Sequence, residues 1–194
     1  MIIMSIDPGI KNFALGIENV CLETIEAVDD LSLKMECAQT VYFNNFALTD
    51  GTTREITSLL DSLEHLWSVC DVVLVERQVQ FRGIINTKAL RVAHHCLSYF
   101  EMRHPTATVV DYQASCKTRV LCAPRGMTKP QRKKWSTETA ATVLRERGDT
   151  ESLLKRAQLG CKLDDGSDCM LMCLAYAVTL TSRGRKRVRP KSSK

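Results

Sequence analysis

An apolar run, Ile2-Ile-Met-Ser-Ile6, leads directly into a carboxylate, Asp7, and is broken at once by Pro8-Gly9. A run of this length reads as a buried strand. Gly9 tolerates the backbone angles of a tight turn, and the chain resumes as a second strand from Phe13 to Val20. The two runs predict a β-hairpin. They place one acid at the end of a central strand, beside a turn whose backbone can approach a phosphate or a metal ion. A single Asp-Pro-Gly is ordinarily only a turn. It becomes part of a site if further carboxylates arrive where a metal would need them.

Downstream, Glu26 to Lys34 is polar and turn-like, and Met35 to Phe46 alternates loosely, as an edge strand does. Ile56, Leu59, Leu60, Leu63, Leu66 and Trp67 recur at spacings of three and four, which predicts an amphipathic core helix. Asp71-Val-Val-Leu-Val-Glu76 is another buried strand ending on an acid, its unbroken aliphatic run suiting a strand covered on both faces. Gly83 to Met102 reads as a helix, with His94 and His95 expected at the surface and boundary. Thr106 to Tyr112 reads as a short strand. Lys117 to Lys134, with Pro124, Gly126 and Pro130, predicts mostly loop. Ser136 is a candidate cap for a helix stopping at Gly148, and a shorter helix covers Glu151 to Gln158. The last helix starts near Asp164 and continues as Cys169 to Val178, apolar all round and therefore buried. A hairpin followed by strand–helix crossovers predicts an α/β fold, a mixed five-stranded sheet with helices on both faces.

At 194 residues the chain fits one domain with a full core. The expected division is a folded domain over 1–180 and a basic, disordered tail over 181–194. The longest apolar run, Cys169 to Val178, is shorter than the roughly 18–20 residues that cross a bilayer, and no secretory leader pattern is present. Nine cysteines are scattered without a Cys-x-x-Cys pair, which excludes a zinc or disulfide framework and suggests reduced thiols in an intracellular protein. The net charge of +5 is concentrated in two acid-free blocks, Tyr112 to Thr137 and Thr181 to Lys194, each with seven Lys or Arg. Such blocks suggest a polyanion partner.

Asp7 and Glu76 close buried strands, while Asp165 and Asp168, three apart at the start of a buried helix, share one face. Converging carboxylates repel, and divalent cations are their natural compensation. Oxygen ligands of this kind suit Mg²⁺ rather than a thiol-seeking metal. Two such ions about 4 Å apart can activate a water and stabilise a leaving oxygen in phosphodiester cleavage.

Ser5-Ile-Asp7-Pro-Gly9-Ile-Lys11-Asn12, Val75-Glu76-Arg77-Gln78 and Lys162-Leu-Asp164-Asp165-Gly-Ser-Asp168 resemble the three acidic motifs of the RuvC-type Holliday junction resolvases. The closest resemblance is to the poxvirus and iridovirus branch, similar to the mitochondrial resolvases of fungi, and covers roughly residues 2 to 180. It implies an RNase H-like fold and a homodimer that resolves four-way or branched DNA by paired, Mg²⁺-dependent incisions during viral replication and recombination. Asp7, Glu76, Asp165 and Asp168 take the metal-binding and catalytic roles, with two Mg²⁺ per site and Mn²⁺ left open as an alternative ion. No small-molecule cofactor and no membrane partner are implied. Asp164 adjoins Asp165, and the motif match favours Asp165. The family's catalytic lysine falls at Lys133-Lys134, with Lys134 preferred. Arg77, Gln78 and Arg82, and Lys129, Arg132 and Lys133 in the basic block, are the expected DNA contacts. The implied location is the host cytoplasm or nucleus, at sites of viral DNA replication.

Two other readings stay open from the residues: another RNase H-like nuclease, acting on RNA–DNA hybrids or as a transposase, and a branched-DNA-binding protein whose carboxylates are structural. An actin-like or sugar-kinase ATPase shares the Asp-x-Gly hairpin, but that fold duplicates its domain and no repeat occurs here. Helix faces near Leu90 and Leu144 are candidates for a dimer interface.

Overall fold

The computed structural model describes residues 1–78, 86–159 and 163–188. Five strands, β1 (Ile2–Pro8), β2 (Phe13–Val20), β3 (Ala38–Phe46), β4 (Val72–Glu76) and β5 (Thr108–Tyr112), form one sheet in the order β3-β2-β1-β4-β5. The β1–β2 and β2–β3 pairs are antiparallel, and β1–β4 and β4–β5 are parallel. The sheet is therefore mixed, as the hairpin-then-crossover order predicts.

Strand alternation splits the sheet into two dry faces. Met4, Ile6, Leu15, Ile17, Val73 and Val75 pack against α3 (Thr53–Ser62), α4 (Glu64–Trp67) and α5 (Thr87–Arg103) through Ile56, Leu60, Trp67, Val92, Cys96 and Phe100. Ile3, Ala14, Val72 and Leu74 face the opposite way, against α1 (Leu22–Ala27) and α9 (Leu163–Val188). Beyond α9, Ala140, Val143 and Leu144 of α7 (Lys129–Glu146) bury its outer side. Sheet on one side and helix on the other leave Cys169 to Val178 of α9 no wet face, which accounts for the all-round apolar sequence there. Leu144 is thus core, and of the two expected dimer-face positions Leu90 alone is partly exposed.

A close approach seats α9 on the sheet. Ser5 pairs in register with Gly16. The buried Ser5 hydroxyl donates to the Cys169 carbonyl at 2.7 Å, and a Cβ on Gly16 would come 3.0 Å from Cys169 Cβ. A small residue on β2 and a short donor on β1 hold the start of α9 against the strand ends.

Several elements differ from expectation. Glu26 to Lys34 contains parts of two short helices, α1 and α2 (Leu31–Glu36), instead of turns. Each has six residues and one buried side chain, Ile25 and Lys34, so no periodicity could emerge. The basic stretch is less loop-like than expected, because α6 (Ala114–Val120) occupies its beginning and α7 starts at Lys129 rather than after Ser136. Thr128 and Gln131 form a capping box and Pro130 sits in the first helical turn. There proline's missing N–H has no intrahelical partner to lose. Ser136 is buried within the helix. Gly148, at φ +67°, follows the end of α7 as expected and α8 (Thr150–Leu159) comes next. Helix α9 continues past residue 180 to Val188. Among the described residues no helix is long and apolar enough to cross a membrane.

Candidate active site

Asp7 and Glu76 follow the register pair Ile6–Val75 on neighbouring parallel strands. Two residues beyond Ser5 and Leu74 respectively, they project to the α9 face. Asp165 and Asp168 reach the same place from the first turns of α9, held there by the Ser5–Cys169 contact. Four acids from three elements therefore face one another.

Their electrostatics show the crowding. Burial, then the charges of Glu76 and Asp165, push the Asp7 carboxyl well above the ordinary carboxylate range, and it shares a hydrogen bond with Glu76. Glu76 is also raised by burial, opposed by the Lys117 ammonium. Asp165 is raised by burial and by Asp164, while a hydrogen bond from Asn12 works the other way. Two ionised carboxylates in such contact repel, which favours the protonated form of Asp7.

Three lysines differ sharply in placement. Lys117 of α6 is only 5% exposed, and its Nζ lies 2.5 Å from Asp168 Oδ1. Lys133 Nζ contacts Asp164 Oδ2, and that bond raises its affinity for the proton. Lys134, the preferred member of the doublet in the sequence, points elsewhere and makes an exposed pair with Glu138 at 3.7 Å. Among the described residues, Lys117 is the buried cation paired with one of these four acids; sequence reasoning left it as one of seven in a basic block.

The structure brings the other expected contacts only partly to the site. Arg77 donates to Asp111 at 2.8 Å on the exposed surface, and Gln78 Nε2 folds back to the Glu76 carbonyl at 3.4 Å. Lys129 is exposed, and Arg132 donates to the Met127 carbonyl at 3.2 Å. Arg82 lies outside the described residues. A cleft of about 410 Å³ opens beside the acids, lined by Asp7, the turn Gly9 to Asn12, Asn86, Lys88 and Asp165. Gly9 is required in that turn, because a Cβ there would meet the Asn12 carbonyl oxygen at 2.5 Å.

Among the described residues no group of three or more acidic, His or Cys side chains stands in coordinating geometry. Asp7 and Glu76 are bonded to each other, and Asp168 is engaged by Lys117. The donor set nevertheless fits a hard divalent cation: it is all carboxylate, mutually repelling and beside an open cleft.

The fold has solved relatives. The chain matches the fowlpox virus resolvase in complex with its Holliday junction DNA substrate, with a TM-score of 0.61 and 21% identity, over 93% of this chain and 99% of that one. The fold is the RNase H-like fold of the RuvC-type resolvases. Thermus thermophilus RuvC in complex with a Holliday junction matches with a TM-score of 0.57 and 19% identity, over 93% of this chain and 98% of that one. The yeast mitochondrial Holliday junction resolvase matches with a TM-score of 0.59 and 16% identity, over 96% of this chain and 81% of that one. In sequence, the chain is 39% identical over 117 residues to the uncharacterized protein 97L of invertebrate iridescent virus 3. That match covers 60% of this chain and 53% of the viral protein, so the chain spans about half the length of this curated relative. No protein-family model matches. In this chain the end of β1, the end of β4 and the start of α9 carry the four acids.

Proposed function

We propose that this protein is a structure-selective DNA endonuclease that resolves four-way junctions by paired incisions as a homodimer in viral DNA replication and recombination. The observation that carries the reading is the convergence of Asp7, Glu76, Asp165 and Asp168 with a buried Lys117 beside them. A scaffold gains nothing from gathering acids on a surface meant for DNA. Solved proteins of this fold include resolvases bound to junction DNA, and fold alone would leave the substrate open.

Asp7, Glu76, Asp165 and Asp168 would hold Mg²⁺, which when bound supplies an activated water and neutralises the leaving oxygen. The residues set up that chemistry. Opening the Asp7–Glu76 hydrogen bond and releasing the Asp7 proton frees both carboxylates for the cation. Lys117, enclosed and fixed beside Asp168, presents a point charge to the phosphate oxygen that gains negative charge. Lys133, half-exposed and paired with Asp164, is free to exchange that acid for a DNA phosphate. Arg77, Gln78, Arg82, Lys129 and Arg132 would bind the flanking backbone without reading bases. The expected setting is the reducing interior of the host cell.

Cleavage of a labelled four-way junction with Mg²⁺, beside linear duplex and an RNA–DNA hybrid, tests the reading. Symmetric nicks in opposing junction strands, lost in Glu76→Gln and Asp165→Asn while binding persists, are expected. Cleavage of the hybrid alone would move the substrate to RNA–DNA. Tight junction binding without cutting under any divalent metal would leave an architectural DNA-binding protein.

A further inference from the structure

The described thiols differ in burial. Cys70 and Cys96 are buried and pushed up to about 12, and burial also raises Cys169 and Cys173. Such thiols are inert toward exchange. Cys21 and Cys37 lie at the opposite end of the sheet from the acids, and they form a pair. Beyond the register pair Val20–Ala38, the next cross-strand positions are Cys21 and Cys37, and the Cys21 amide donates to the Cys37 carbonyl at 3.2 Å. The Cys37 amide turns back to the Lys34 carbonyl at 3.3 Å, so a single bond joins the two residues. Directly opposed antiparallel residues have Cα atoms about 4.5–5.5 Å apart, inside the roughly 4.4–6.8 Å that a disulfide bridges. The side chains are also close enough for the charge of one to act on the other.

We propose that Cys21 and Cys37 are a modification site, a vicinal cross-strand thiol pair that closes to an intramolecular disulfide by exchange with small-molecule disulfides. Cys21 is the exposed attacking thiol. The Thr24 hydroxyl donates to its Sγ at 2.9 Å, which draws the thiol below its ordinary value and favours the thiolate. Cys37 is partly enclosed, its thiol donating to the Leu33 carbonyl at 3.1 Å, and it resolves. A shallow cleft of about 490 Å³, lined by Met1, Asn19, Cys21, Glu36, Cys37 and Gln39, gives the reagent access.

The Cys21 thiolate attacks one sulfur of the disulfide, forming a mixed disulfide and expelling a first thiolate. Cys37 loses its proton to solvent and attacks Cys21 Sγ, expelling the second thiolate. Two protein thiols and one small disulfide thus become one protein disulfide and two small thiols. The product ties α1 and α2 into a covalent ring anchored on β2 and β3. This inference does not depend on the nuclease reading.

The test incubates the full chain with oxidised glutathione, alkylates the remaining thiols without unfolding, and maps the product by mass. Expected are a loss of two hydrogens, a peptide joining Cys21 to Cys37, and an upward shift of the unfolding midpoint that reductant reverses. The Cys116→Ser, Cys122→Ser double variant should form the same link, and Cys21→Ser should not. A stable glutathione adduct on Cys21 without resolution, a link through other cysteines, or a disulfide between chains would overturn the proposal.

Discussion

Lys117 Nζ lies 2.5 Å from Asp168 Oδ1, joining α6 to the first turns of α9 with the lysine almost wholly enclosed. An ammonium held this way is costly to desolvate and is sustained by the surrounding carboxylates, Glu76 among them.

Replacing Lys117 by Met keeps the stem and removes the charge. Junction cleavage should fall by about 10²–10³-fold, as for loss of one preorganised charge stabiliser, with junction affinity nearly unchanged. Lys134→Met should fall within about twofold of wild type, because its exposed pair with Glu138 is worth little. Single-turnover cleavage on preformed complexes separates the two. Equal losses would remove Lys117 from its proposed role.

The neighbouring acids Asp164 and Asp165 should separate by metal response. Asp165 faces the other site acids and Asn12, whereas Asp164 is engaged by Lys133. Asp165→Asn should raise the unfolding midpoint of the metal-free protein by relieving repulsion, and should abolish the further rise caused by Mg²⁺ or Ca²⁺. Asp164→Asn should retain the metal-induced rise. Thermal unfolding with and without each ion reads both effects.

A second buried charge pair makes a stability prediction. Arg147 Nη1 lies 2.7 Å from Glu18 Oε2, with side chains 5% and 1% exposed, and its other nitrogens donate to the Met35 carbonyl. Burial raises the Glu18 carboxyl despite Arg147, so the pair is tightly dependent on its partner. Arg147→Met should cost about 3–5 kcal/mol by stranding the carboxylate, and adding Glu18→Met should recover part of it. Urea denaturation of the single and double variants measures the difference.

Glu55 gives the pH prediction. Its carboxylate accepts from the amides of Thr49, Asp50 and Gly51 at 2.5, 3.1 and 2.8 Å, bonds that pull its titration below the ordinary 4.5. A depressed folded value means that its contribution is complete above 4.5 and disappears as pH falls through that lower value. The three amides should shift together in an NMR titration on that acid limb, and Glu55→Gln should abolish the transition. The loop they form supports the site, since Gly51, at φ +61°, packs where a Cβ would strike Ile10 at 2.9 Å.

The hairpin, the buried β4 and the enclosed α9 were legible because each carries an unbroken apolar run, and the edge strand because it alternates, if loosely. The four acids were legible for a related reason. Each ends a strand or starts a helix whose burial the pattern already implies, so an ionised side chain there demands compensation. The helices α1, α2 and α6 were not legible, being too short for a period to show. The start of α7 was misplaced because Pro130 breaks a helix interior yet suits a first turn.

Residue order alone therefore determined the alternation that builds the sheet and the placement of acids at strand and helix ends, since both depend on local periodicity. The choice among cations belonged to the tertiary structure. Lys133 and Lys134 differ by about 100° around their helix, and which of them faces Asp164 depends on how α7 lies against α9. Lys117 is chemically like its basic neighbours in the chain. Docking of α6 against α9 encloses it beside Asp168, and only there does low solvent access turn an ordinary surface charge into part of a site.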